Sequence, residues 1–208
     1  MNYDTLYAFC LATAALAISP GPDNIYVLTQ SLANGKKYGL ITTAGLLSGC
    51  LVHTSLLAFG VSIIIRQSDT LFFGIKVLGA AYLLYLACAV FRSDSTLDIS
   101  SENGDKKGLW QLFKQGFIMN VLNPKVTIFF LAFFPGFLFS QTMSTVWQFY
   151  ILGLLFMFVS ALIFCGIAIL SGSLSKALVN NKRIGPVLKW LQIVVFVAIA
   201  LYLLLSGK

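Results

Sequence analysis

The chain has 208 residues, 58% of them hydrophobic and only 10% charged, with a mean hydropathy of +0.88. Soluble domains carry roughly 25% charged residues, so these figures exclude one and indicate an all-α integral membrane protein. The net charge of +7 is spread along loops, which excludes a nucleic-acid-binding surface and reads as a topological signal.

The length allows about six helical spans of ~20 residues with short connections. The first is expected from about Thr5 to Leu32, retained in place because Met1-Asn2-Tyr3-Asp4 lacks the basic start of a signal peptide. Ser19-Pro20-Gly21-Pro22-Asp23-Asn24 interrupts it. Pro20 and Pro22 have no N–H to continue a helix ladder. Such a break is tolerated at membrane depth only inside protein or beside a wet cavity, and an acid placed there reads as a site.

A second span covers about Gly39 to Ile65, with Gly45, Gly49 and His53 four apart on one stripe, where small residues let a neighbouring backbone approach. A third runs from about Leu71 to Phe91, with Lys76 near its start, where a lysine can snorkel to the interface. The polar stretch Arg92 to Lys107 reads as a flexible loop between two halves. The fourth span, about Leu112 to Leu138, is interrupted at Asn123-Pro124-Lys125. The fifth is expected from Thr145 to Leu170 and the sixth from Trp190 to Leu205, after the basic stretch Lys176 to Lys189.

Lys and Arg cluster after the first, third and fifth spans, which places those loops in the cytoplasm and both termini outside. Pro20 and Pro124 lie 104 positions apart, half the chain, and Phe9 and Phe113 precede them by the same interval. Three spans per half implies opposite insertion. The chain therefore reads as one transporter domain of two inverted repeats, 1–91 and 111–208, joined by a cytoplasmic loop at 92–110. Broken helices in corresponding positions point to a transporter's midplane site.

The two breaks offer complementary chemistry. A half-helix starting at Pro22 exposes N–H groups suited to a carboxylate, and Lys125 reinforces them. Asp23 suits an ammonium group or an exchangeable proton. Gly21, Pro22, Asn24, Asn120 and Asn123 complete the candidate substrate site, with Asn120, Asn123 and Thr127 expected on one helical face. Both signs of charge within apolar walls match a zwitterion such as an amino acid; an Asp23–Lys125 ion pair linking the halves is the structural alternative. His53, the one histidine, is either a second proton-coupling group or a side chain bonded to a backbone carbonyl. Phe129 to Phe139 reads as lipid-facing or packing surface, and nothing in the sequence decides whether Tyr82 and Tyr85 are core or interfacial. The four cysteines lie singly in apolar runs and indicate no disulfide, metal site or cofactor.

Taken together, the motif from Ser19 to Asn24, the glycines at 45 and 49, Gly79-Ala80-Ala81-Tyr82-Leu83, and Asn120-Val121-Leu122-Asn123-Pro124-Lys125 resemble the LysE/RhtB family of bacterial amino-acid exporters over essentially the whole chain. The resemblance implies a six-span inner-membrane protein, a homodimer, that exports amino acids or close derivatives by proton antiport. It carries functional roles onto Pro20, Gly21, Pro22, Asp23 and Asn24, and onto Asn123, Pro124 and Lys125. The alternative class is metal-ion export, which needs clustered His, Cys or carboxylate ligands that these spans do not group. The resemblance also implies that the protein is not an enzyme.

Overall fold

The structure, a computed structural model, describes residues 2–19, 21–63, 69–92, 108–173 and 184–205. Pro20, most of the expected 92–110 loop and the cations Lys176, Lys182, Arg183 and Lys208 lie outside them. The described residues are helical, without a strand. Helices α1 (Tyr3–Ile18) and α2 (Pro22–Asn34) flank the first break and α3 spans Lys36–Leu56. Next come α4 (Asp69–Arg92), and α5 (Leu109–Val121) and α6 (Pro124–Ile128) around the second break. The last two are α7 (Thr145–Ile169) and α8 (Ile184–Leu205).

Four of the described helices are long and apolar enough to cross a membrane, and the number rises to six when each bent pair is one span. The bends are 59° between α1 and α2 and 50° between α5 and the Pro124–Phe137 segment. Contacts between termini and loops agree with this count. Asn2 N donates to Phe139 O at 2.9 Å, which puts the chain start beside the end of the fourth span, as four crossings require. Tyr202 Oη donates to Gly136 O at 3.1 Å, bringing the end of α8 to the same face.

In the sixth span the described helix already covers Ile184 to Lys189, ahead of the expected start at Trp190. Pro186 and Lys189 both lie inside it, so the basic stretch runs into the helix. The aromatic run of the fourth span is core, not lipid-facing: Phe129, Phe130, Phe133 and Phe134 are at most 1% exposed. A π turn at Phe129–Phe133 and a 3-10 turn at Phe134–Phe137 follow α6. Their rings stack in pairs, Phe129 on Phe133 at 4.3 Å and Phe130 on Phe134 at 4.1 Å between centroids. Phe9 from α1 seals this cluster edge-on to Phe134 at 5.0 Å.

Lipid gives helices no hydrophobic reason to associate, so close van der Waals approach must supply it. The glycine stripe on α3 does so. A Cβ on Gly45 would strike the Phe113 carbonyl, and one on Gly116 of α5 would strike Thr42 O in return. Helices α3 and α5 thus meet backbone to backbone. α3 also packs on α7, and α4 on α8.

The turn between the fourth and fifth spans is organised by one side chain. Gln148, 2% exposed, accepts from Phe139 N (2.8 Å) and Ser140 N (2.9 Å) through Oε1 and donates to the Ser140 and Met143 carbonyls (both 2.9 Å) through Nε2. Gln148→Leu fits the space but strands two amides. It is expected to lower stability by about 2–4 kcal/mol, read as a lower unfolding midpoint in detergent, whereas Gln141→Leu on the exposed turn leaves the midpoint unchanged.

Candidate functional site

Each break frees backbone carbonyls, and the chain supplies side chains to meet them. In α1 the carbonyls of Leu16 and Ile18 would look four residues ahead to Pro20 and Pro22, which have no N–H. Between them, Ala17 O accepts from Asn24 Nδ2 at 2.7 Å, so the first turn of α2 closes the end of α1. In α5 the carbonyl of Asn120 would look to Pro124. It accepts instead from Asn123 N at 3.1 Å and lies 3.1 Å from His53 Nε2, which must donate because a carbonyl only accepts.

The two helix starts differ. Asn123 caps α6, its Oδ1 accepting from Lys125 N at 3.0 Å. Gly21, in extended backbone before α2, offers no side-chain cap. Amides of the first turn of α2 are left for another partner.

Asn123 also joins the breaks, its Nδ2 donating to Asp23 Oδ2 at 3.2 Å. The other carboxylate oxygen, Asp23 Oδ1, is buried without a partner. Lys125 Nζ lies 5.1 Å from the Phe196 ring centroid and 3.5 Å from where a Cβ on Gly21 would sit. No direct Asp23–Lys125 ion pair is present among the described residues, so the link between halves is the Asn123 amide and not the ion pair the sequence offered as an alternative.

Gly21, Pro22, Asp23, Asn24, Asn120, Asn123 and Lys125 all line one cavity of about 40 Å³. Its other walls are mainly apolar, from Leu16, Leu46, Leu47, Val126, Phe156 and Phe164. Thr127 is not among the lining residues. The helix is interrupted at Asn123, which breaks the continuous face expected for Asn120, Asn123 and Thr127, and the Thr127 hydroxyl donates to Asn123 O at 3.1 Å.

Sequence reasoning missed the fifth span's contribution. Phe156, Ser160 and Phe164 recur every four residues and face the cavity as one stripe, a periodicity masked by the apolar residues that surround α7. Cys50 also lines the cavity, and its Sγ lies 3.7 Å from Asn120 Oδ1. Gly49 permits this, since a Cβ there would sit 2.7 Å from Asn120 Oδ1.

The model of the family described as LysE type translocator matches residues 14–207, nearly the whole chain. The chain belongs to this family. It is 28% identical to the homoserine/homoserine lactone efflux protein of Salmonella typhimurium (strain LT2) over 88% of each chain, and equally so to the protein of that name from Salmonella typhi. It is 32% identical to the uncharacterized membrane protein YrhP of Bacillus subtilis (strain 168), over 64% of this chain and 68% of that one. No solved structure matches it.

In this LysE type translocator His53 is 4% exposed, lies 5.4 Å from the Phe130 ring and is absent from the cavity wall. Its position fits a structural donor to the carbonyl that Pro124 frees. His53→Gln, which keeps a donor, is expected to retain most transport, whereas His53→Leu lowers stability by about 1–3 kcal/mol. Transport lost in His53→Gln with an unchanged unfolding midpoint would instead assign the ring a proton.

Proposed function

We propose that this LysE type translocator exports amino acids or close derivatives from the cytoplasm, across a bacterial inner membrane, by proton antiport with alternating access. One observation carries the reading: two broken spans bring Asp23 and Lys125 onto a single, mostly apolar cavity without pairing them directly. The amino acid's carboxylate binds Lys125 and the uncapped amides of α2. Its ammonium binds the open oxygen of Asp23. Asn24 and Asn123 hold the broken backbone, Asn123 also holds Asp23, and Asn120 lines the cavity beside them.

Coupling follows from the same carboxylate. Once the amino acid has left, a proton takes its place on Asp23 and neutralises it for the return step. Inverted repeats supply the motion, one half rocking on the other about the fixed site. The paired breaks support this, as does the exchange of like contacts between halves: α3 with α5, and α7 with α1. Both termini face outward and two copies form the working unit. The names of the Salmonella relatives favour a small neutral solute of the homoserine type.

Everted vesicles test substrate and direction together. With a panel of labelled amino acids, the vesicles are expected to accumulate a small neutral member, more so with an imposed pH gradient. Absence of accumulation across the panel contradicts the reading.

A further inference from the structure

The cavity contains a polar group to which nothing above assigns a task. Ser160 of α7 is 1% exposed and lines the cavity, yet its hydroxyl has no hydrogen-bond partner. A serine in an apolar helix ordinarily donates to the carbonyl four residues back. Ser31, Thr42, Thr43, Ser48, Thr54, Ser62 and Thr127 all do so in this chain. Thr13 and Ser19 share the unpaired state but do not line the cavity. Ser160 therefore combines two properties: it departs from the local rule and it borders the site. An unpaired buried hydroxyl is unfavourable, and at the cavity wall it is open to a polar atom that enters.

Its neighbours define what it can read. Asp23 and Lys125 belong to the first and fourth spans, Ser160 to the fifth, so the hydroxyl approaches the cavity from a different helix than the two charges. Phe156 and Phe164, one turn before and one turn after it, line the same wall. A ligand held by its charged ends at Asp23 and Lys125 shares its cavity with one hydroxyl set between two aromatic rings.

We propose that Ser160 is a specificity-determining contact, its hydroxyl pairing with a hydroxyl or ester oxygen on a short side chain of the exported amino acid. The inference rests on the transport reading above and adds to it a discrimination among neutral solutes. Homoserine and 2-aminobutyrate differ only by the side-chain hydroxyl, so they form the probe pair.

Purified protein in proteoliposomes is loaded with an equal mixture of the two, one label each. The wild type is expected to release homoserine about tenfold faster, the ratio one neutral hydrogen bond confers. S160A is expected to bring the ratio within about twofold of unity by slowing homoserine while 2-aminobutyrate efflux is retained, which also serves as the folding control. Where S160A does not fold, S160C, close in size with a weaker donor, is read by the same ratio and is expected between the two. A wild type without preference, or an equal loss of both solutes in the variant, overturns the role of Ser160 and leaves the transport reading standing. Efflux of neither solute, nor of any other amino acid, overturns both.

Discussion

Asp23→Asn and Lys125→Ala are each expected to reduce efflux about 100-fold while leaving the protein folded. In the proposed reading each charge meets one end of a zwitterion inside a desolvated cavity, and a charge-assisted hydrogen bond of that kind is worth about 1.5–3 kcal/mol, with the buried partner on the ligand left unpaired as well. Asp23→Asn keeps an acceptor for the Asn123 amide that now reaches Oδ2 at 3.2 Å, so the link between the breaks survives. The double variant Asp23→Asn/Lys125→Met separates two roles for these residues. Were they a structural ion pair, removing both charges would relieve the damage of removing one. As ligand contacts they do not compensate, and the double variant is expected to be at least as inactive as either single one. Substrate efflux in proteoliposomes and size-exclusion behaviour, measured on the same preparations, distinguish the outcomes.

The second large effect is structural and arises where α3 meets α5. Gly45→Ala and Gly116→Ala each place a methyl against the partner helix's carbonyl. A flexible side chain can move aside; a helical backbone cannot without shifting the whole element. Overpacking of a well-packed site costs about 1–3 kcal/mol, and at these positions the upper end or more is expected. Asn120 and His53 also lie on this interface, so the second break loses its support. The comparison variant is Gly74→Ala in α4, where an added Cβ has nothing within 4 Å and helix propensity alone favours alanine by about 1 kcal/mol. Unfolding midpoints in detergent should fall sharply for the first two and stay level or rise for the third.

The spans and both breaks were legible because lipid leaves few options: apolar runs of ~20 residues must be helical, and proline cannot be concealed in one. The glycine stripe at 45 and 49 was legible for the same reason, since only close packing explains small residues at that spacing. The helix ahead of Trp190 was not, because charge ordinarily marks the end of a span and a proline ordinarily interrupts one. In the site, Asp23 and Lys125 stood out as charges in hydrocarbon, and Asn120 and Asn123 as amides beside a proline. What sequence could not supply was pairing. Nothing in the order of residues says that Asn123 rather than Lys125 reaches Asp23, or that Asn24 spends its amide on Ala17 O. Ser160 escaped for a related reason: a serine in an apolar helix is ordinary, and only its missing bond and its neighbours mark it.

The central claim is that opposed charges from two broken helices carry an amino acid outward against a proton. Efflux of labelled homoserine from proteoliposomes, with an inward proton gradient imposed and then collapsed, tests it directly. The wild type is expected to accelerate efflux when protons are driven in, to slow when the gradient is removed, and to lose the response in Asp23→Asn. Homoserine efflux indifferent to the gradient, or undiminished in Asp23→Asn, would contradict it.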